Sequence, residues 1–408
     1  MEGTGFLRMA RPAVVAAVTA LALTASSAAA QSLTGIRGLG YPIQPTDART
    51  EVLGGLGLGL KGVVAPLTNP AAPAGIARRG VMVAVQATER DVRLGDASDA
   101  SGATRFPLIQ VIYPVGRVVL SVGYGAYLDQ AWGVIRSGET VVDDTPLTYT
   151  DRIESTGGIG QLQAGVAVPI GQRLAIGAAV GAHTGSQRVE LFRLFDTTSV
   201  AALDPYSDAF EWEYSGLMAQ VGAQLDFGDL ARLGASVTWA GSMDADSVAG
   251  RVVGRSFDLP LQVAGGASAF LSPGLLAAAS VRWSGWSVTE VPENALPLVT
   301  GGSAGRDTWE VGGGIEWDAS SDASLRSFPL RVGFQYRQLP FALVDEAPNE
   351  WLAGAGLGMR LGSDPANPLG LLDLTVQRGA RTAPGDATIG DLDERVWRFT
   401  LSLSLFGT

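Results

Sequence analysis

The sequence holds no cysteine and only one histidine, His183. The first absence excludes disulfides, thiolate metal sites and cysteine nucleophiles. The second removes most metal-centred and acid–base chemistry. His183 would need a serine or water and an acidic orienter to act as a hydrolase, and no such motif accompanies it. Basic charge is also scarce: the net charge of −11 over 408 residues argues against nucleic acid as a partner. No stretch after the N-terminus reads as a membrane helix. The best candidate, Leu259 to Val281, contains 23 residues without a charge, but Ser272-Pro273-Gly274 would break a helix and suits a tight turn between two strands. Calcium is not indicated, since Asp143-Asp144 and Asp244-x-Asp246 are followed by no ordered ligand series. Gly57-x-Gly59-x-x-Gly62 matches a dinucleotide fingerprint only formally, with no βα context and no acidic partner. The sequence therefore implies no cofactor and no metal, and the chain is not expected to be an enzyme.

The first thirty residues read as a secretory signal. Arg8 and Arg11 form a positive region, Pro12 to Thr24 is almost wholly apolar, and Ala28-Ala29-Ala30 ends in a cleavage-type site before Gln31. Met9 would serve as a start equally well. Cleavage leaves 378 residues.

From about Val81 onward one pattern recurs, a run of about ten residues that alternates apolar with polar or small. At the C-terminus Trp397, Phe399, Leu401, Leu403 and Leu405 interleave with Arg398, Thr400, Ser402 and Ser404. Period two places the two sets on opposite faces of a strand. Fourteen such segments are expected near 80–90, 104–113, 116–129, 155–169, 173–188, 210–227, 231–241, 252–270, 275–289, 306–318, 328–339, 350–362, 369–379 and 395–406. Their connections alternate long and short: 91–103, 130–154, 189–209, 242–251 and 290–305 are long, whereas 114–115, 170–172, 228–230 and 272–274 are short. Short periplasmic turns and long outer loops are the rhythm of a transmembrane barrel, and hydrocarbon permits strands only in a closed one. The expected fold is all-β: an antiparallel barrel of about fourteen strands, apolar outside and wet inside. The abundant glycine, 54 residues, suits turns and closely packed strands.

One hairpin can be set in register. If paired numbers in 309–317 and 330–338 sum to 647, the outward face pairs Trp317 with Leu330, Ile315 with Val332, Gly313 with Phe334 and Val311 with Tyr336. The inward face then sets Glu316 opposite Arg331 and Glu310 opposite Arg337, and a one-residue slip spoils both sets. Trp309 and Trp317 share the outward face about 26 Å apart, a spacing that would reach the two aromatic girdles.

Residues 31–79 do not alternate. They contain Gly54-Gly55-Leu56-Gly57-Leu58-Gly59-Leu60-Lys61-Gly62 and Thr68-Asn69-Pro70-Ala71-Ala72-Pro73-Ala74-Gly75. Glycine-rich backbone that passes close to other backbone within a lumen accounts for the first run. Asp47-Ala48-Arg49 leading into Leu53-Gly54-Gly55, followed by Asn69-Pro70-Ala71 just before the first strand, resembles the start of FadL/TodX-type outer-membrane proteins and the related PorV group. Leu330 to Leu339, Asp373 to Arg378 and Glu394 to Leu405 resemble the closing strands of the same proteins. The chain departs from that pattern where Gly407 and Thr408 follow Phe406, and where 189–209 is only modestly apolar.

The resemblance implies a fourteen-stranded barrel over 80–408, occluded by an N-terminal hatch over 31–79, in the outer membrane of a diderm bacterium. Implied partners are outer-membrane lipid, a hydrophobic small molecule and the barrel-assembly machinery. Three functions follow: uptake of hydrophobic molecules such as long-chain fatty acids, a PorV-like barrel that docks secreted or surface proteins, and a general porin. The first is the expectation here. The expected gate is Asn69-Pro70-Ala71, where proline fixes the backbone and asparagine bonds adjacent backbone in a rigid turn. The expected polar lining is Arg282, Glu310, Glu316, Arg331, Arg337, Asp373 and Arg398. A barrel of this kind should migrate on a gel at a heat-dependent position; identical mobility with and without boiling would reject the architecture.

Overall fold

The structure is a computed structural model that describes residues 38–62, 67–94, 97–142, 145–196, 204–249, 253–291, 303–318, 328–342, 346–362, 368–384 and 391–407. The expected signal sequence, the first residues of the expected hatch and Asp143-Asp144 lie outside these ranges.

The chain begins with a two-residue strand, β1 (Tyr41–Pro42), and a short helix, α1 (Ala48–Val52). There follow β2 (Gly80–Leu94), β3 (Ala97–Val115), β4 (Val118–Asp129), β5 (Trp132–Val142), β6 (Thr145–Ile170), β7 (Leu174–Phe195) and β8 (Tyr206–Phe227). Next come β9 (Ala231–Ala249), β10 (Arg255–Asp258), β11 (Gln262–Ser272), β12 (Leu275–Ser284), and the small pair β13 (Glu290–Val291) and β14 (Ser303–Ala304). The last strands are β15 (Thr308–Trp317), β16 (Leu330–Gln338), β17 (Asn349–Leu361), β18 (Gly370–Ala383) and β19 (Leu392–Phe406).

Each of β2, β3, β4, β6, β7, β8, β9, β11, β12, β15, β16, β17, β18 and β19 pairs antiparallel with the next, and β19 returns to β2. The result is a closed barrel of fourteen strands. Alternation sets its two faces. Val180 is 67% exposed on the outer surface, while His183, three residues on, is 2% exposed inside. The 259–281 stretch is the expected hairpin: β11 and β12 meet at a turn where Gly274 takes φ +78°. Between β15 and β16 the register has the expected sum of 647, with Glu316 opposite Arg331 and Trp317 opposite Leu330.

The outer connections differ from expectation. Much of 91–103, 130–154, 189–209 and 242–251 is strand: β2 and β3 stay paired to Leu94↔Ala97, β5 and β6 pair from Trp132↔Ser155 to Val142↔Thr145, and β7 runs to Phe195. Apolar alternation marks only the lipid-facing height of a wall. The hydrogen-bond ladder needs no apolar face once the strands rise beyond lipid, so the pattern ends before the strand does. The expected segment 252–270 is divided into β10 and β11 around Pro260, which has no N–H for the ladder. The segment 275–289 ends as a strand at Ser284, followed by a 3-10 turn over Trp286–Val288. The lumen is also less wet than expected. In its outer part Trp132, Phe210, Trp212, Met243, Phe257, Trp286 and Phe341 form one buried apolar cluster.

Residues 38–62 and 67–79 run through the lumen. Asp47 caps α1, its carboxylate accepting from the Thr50 N–H at 2.9 Å. Beyond the helix the backbone is irregular, and wall side chains hydrogen-bond to it. Thr375 Oγ1 donates to the Ala48 carbonyl (2.8 Å), Ser280 Oγ to Gly54 (2.8 Å), and Ser268 Oγ to Gly59 (2.7 Å). The Gln163 and Gln220 amides donate to the carbonyls of Leu67 and Thr68, each at 3.0 Å. Where this backbone meets the wall, the wall residue is glycine. A Cβ on Gly333 would lie 1.8 Å from the Val52 carbonyl oxygen, and one on Gly222 would lie 2.1 Å from Asn69 Oδ1. Gly177, Gly234, Gly266 and Gly312 are placed in the same way against Pro70, Gly59, Leu58 and Gly54.

Lys61 is the only lysine in the sequence, and its Nζ donates to the Gly228 carbonyl at 2.5 Å inside the barrel. Gly333→Leu should dislodge the luminal segment without unfolding the wall. The expected result is a retained heat-dependent gel shift together with new reactivity of Lys61 toward an amine-directed reagent. Unchanged Lys61 labelling would show that the glycine contact does not hold the segment.

Candidate functional site

All seven residues expected as polar lining lie inside the barrel, bonded into ion pairs. Glu316 accepts from Arg49 Nε of α1 (2.7 Å) and from Arg331 Nε (2.6 Å), and Arg331 also reaches Asp373 at 2.6 Å. Arg398 donates to Glu51 at 3.1 Å. Glu310 stands opposite Arg337 in register, as expected, but its ion pair is with Arg282 on β12 at 2.5 Å. Arg337 turns instead to Glu350 on β17. Glu350 has a second partner, Arg381 Nε at 2.6 Å, and Arg381 continues to Glu394 at 2.8 Å. Buried acids and arginines are tolerated only when paired in this way, because an isolated charge removed from water costs several kcal/mol.

Sequence reasoning missed the residue at the centre of this network. Tyr41 donates its hydroxyl to Glu350 at 2.9 Å and accepts from Arg398 at 3.2 Å. The guanidinium carbons of Arg381, Arg337 and Arg90 stand 4.0, 4.9 and 5.8 Å from its ring centroid. Cations over a ring face are attracted by its quadrupole, so Tyr41 is held by both its edge and its face. A lone tyrosine in a non-alternating segment carries no sequence signal. Glu350, Arg381 and Glu394 do carry one, since each occupies an inward position of an alternating strand.

Beside Tyr41 the wall changes character. Pairing between β3 and β4 runs from Val115↔Val118 to Leu108↔Gly125 and stops there, although β3 stays paired with β2 up to Leu94↔Ala97. Among the described residues, 97–107 of β3 have no strand on that side. The upper end of β4 pairs with β1 instead, Tyr41↔Asp129 and Pro42↔Leu128. An ion pair at 3.1 Å between Arg105 and Asp129 bridges the two sides of this seam.

Behind the seam lies a cavity that opens to solvent. Its floor is the luminal segment, through Pro42, Ile43, Pro45, Leu56, Leu67 and Thr68. Its walls include Tyr127, Met218, Ala240, Ala264, Trp286 and Leu339, interspersed with Gln161, His183, Gln220, Arg282, Glu310 and Arg337. His183 packs its ring 4.4 Å from that of Tyr127, which stacks on Trp286 at 6.4 Å.

Asn69-Pro70-Ala71 does not line the cavity; it lies below, against Gly222 of β8 and Gly177 of β7. Asn69 Oδ1 accepts from the Ala71 N–H at 2.9 Å, which makes the rigid turn expected from its sequence. Trp309 and Trp317 are each 53% exposed on the outer surface, at opposite ends of β15. Asp244 and Asp246 stand on β9, and the described residues contain no group of three potential metal ligands.

A closed fourteen-stranded barrel with an apolar outer face and an occupied lumen defines a barrel of the outer-membrane type. The BamG family profile matches residues 9–253, and the chain belongs to that family. No curated protein matches the sequence. Among solved structures the chain is similar to a FadL homologue from Pseudomonas aeruginosa, with TM-score 0.63 and 14% identity over 90% of this chain and 99% of that one. It is also similar to the toluene transporter TbuX of Ralstonia pickettii, with TM-score 0.56 and 15% identity over 90% and 99% of the two chains. The toluene transporter TodX of Pseudomonas putida gives TM-score 0.56 at 14% identity over 90% and 99%. The fold is therefore the FadL/TodX fold, and its place is the outer membrane of a diderm bacterium.

Arg381→Met would leave Glu350 and Glu394 buried with a partner missing, a loss of about 3–5 kcal/mol for a broken buried pair. The heat-induced gel shift should then occur at a clearly lower temperature than in the unaltered protein. An unchanged transition would mean that the network adds nothing to stability.

Proposed function

We propose that this protein takes up small hydrophobic molecules across the outer membrane, with residues 31–79 as the hatch. Cargo enters from the outer side or from lipid, rests in the cavity, and passes when the hatch shifts. One observation carries the reading: at the seam Pro42 and Ile43 of the hatch line the cavity, and Tyr41 and Pro42 pair with β4 where a full-length β3–β4 ladder would otherwise stand. A two-residue strand is far more easily displaced than a ladder, so this is the weak point of the wall. Toluene is the cargo that the names of TbuX and TodX give for those proteins. Long-chain fatty acids stand at the other end of the same range. In this reading Asn69-Pro70-Ala71 is the fixed floor about which the hatch moves, Trp309 and Trp317 belong to the two aromatic girdles, and His183 is lining, not a catalytic base.

The cysteine-free sequence makes the reading simple to test. Pro42→Cys combined with Leu128→Cys joins the two strands across their observed register. Uptake of toluene into proteoliposomes should fall to the level of protein-free vesicles under oxidising conditions and return on reduction. Uptake indifferent to the crosslink would exclude the seam as a route. Deletion of 31–75 should separately raise leakage of small polar solutes.

A second reading is favoured by the family match: association with the barrel-assembly machinery, in keeping with the name BamG. Depleting the protein would then lower the outer-membrane content of unrelated barrels. Under the channel reading that content stays constant while uptake is lost.

A further inference from the structure

We infer that one arc of the periplasmic rim, from the start of β2 to the β6–β7 turn, docks the headgroups of anionic phospholipids. In a barrel of this type the short turns face the periplasm. Three arginines stand at that end. Arg79 immediately precedes β2, Arg117 lies in the two-residue turn between β3 and β4, and Arg173 ends the turn between β6 and β7. All three side chains are exposed, and among the described residues none of them makes an ion pair.

The chain supplies this arc with no counter-charge. There is no aspartate or glutamate in 62–88, 106–128 or 155–189, the stretches that build the lower parts of β2, β3, β4, β6 and β7. Asp226 of β8 donates its N–H to the Arg173 carbonyl, but its carboxylate belongs to Arg232 at 2.7 Å. Elsewhere exposed arginines are neutralised nearby. At the outer end of β6 and β7, Arg152 is paired with Glu154 at 2.5 Å and Arg188 with Glu190 at 2.7 Å. Further round the periplasmic rim Arg360 is paired with Asp318 at 2.6 Å.

The surroundings of the three arginines select lipid as the partner. The lipid-facing side of the wall continues down to them: Val115 is 51% exposed beside Arg117, Ile170 is 48% exposed beside Arg173, and Val81 and Leu174 are exposed on the same outer face. An arginine stem lies along such side chains and carries its guanidinium to the level of the headgroups. There the planar fork matches the oxygens of a phosphate. A zwitterionic headgroup cancels most of that attraction with its own cation, whereas an anionic one keeps it, so positive charge without a counter-charge favours the anionic lipid. This surface is independent of what the lumen carries.

The full-length barrel is reconstituted into vesicles of phosphatidylethanolamine mixed with an equal part of phosphatidylglycerol, then extracted in detergent. Native mass spectrometry identifies the lipid retained on it. Phosphatidylglycerol should be held over phosphatidylethanolamine by roughly tenfold or more, since each arginine near an anionic surface contributes about fivefold. Arg79→Gln, Arg117→Gln and Arg173→Gln combined should bring the two lipids level. Arg152→Gln with Arg188→Gln, at the other end of the wall, should leave the preference as it was. Heat-dependent mobility first shows that each variant is folded. High salt during extraction should also weaken the preference of the unaltered barrel. Equal retention of the two lipids by the unaltered barrel would overturn the assignment and leave the arc to an acidic periplasmic protein. An undiminished preference in the triple variant would overturn it as well, as would displacement of phosphatidylglycerol by inorganic phosphate, the mark of a site for the free anion.

Discussion

Irregular backbone inside a barrel must find hydrogen-bond partners, and here it finds them on the wall. The described residues of this segment, 38–62 and 67–79, form one short helix, one 3-10 turn over Ala72–Gly75 and one two-residue strand, so many of their carbonyls and amides cannot be satisfied locally. Ser268, Ser280, Thr375, Gln163 and Gln220 satisfy them from the strands. Elsewhere the segment comes so close to the wall that a Cβ would clash, and there the wall residue is glycine, as at Gly333 and Gly222. The inner face of the barrel is thus written for its contents. Its serines, threonines, glutamines and glycines are the complement of one particular segment, not a generic wet lining.

The same dependence explains why the ion pairs cluster where they do. Arg49 and Glu51 of α1 enter pairs with Glu316 and Arg398 of the wall, and Tyr41 completes the set around Glu350. Within the wall, acid and base are nearly balanced, so each pair gained by the segment is matched to a partner the strands already hold in place. The seam is where this arrangement gives way. β4 leaves β3 above Gly125 and accepts two residues of the segment as its neighbour, and the cavity forms directly behind them.

Much of this was legible in the sequence because strands obey local rules. The fourteen strands, the hairpin at Ser272-Pro273-Gly274, the 647 register and the inward parity of His183 all follow from period two. What escaped was whatever depends on a distant segment. The pairing of Glu310 with Arg282 instead of Arg337 is a choice between two neighbours equally allowed by register, made because Glu350 claims Arg337. Tyr41 could not be found, since its importance lies in three arginines from three strands. The strand ends were misjudged for a different reason: periodicity records where lipid stops, not where the ladder stops. The apolar cluster around Trp212 and Phe341 falls in that same outer region and was hidden with it.

Glu51 has a further consequence, for the closure of the ring. One of its oxygens accepts from Gln86 on β2 and from Arg398 on β19, and the other accepts from Thr400 on β19. These are the first and last strands of the ring, the two that must meet for it to shut. With Glu51 absent from that junction, Arg398 would lose its nearer acid at 3.1 Å and keep only Glu350 at 4.0 Å. The N-terminal segment is therefore more than a filling of the lumen: through one carboxylate it ties together the two strands at which the ring closes.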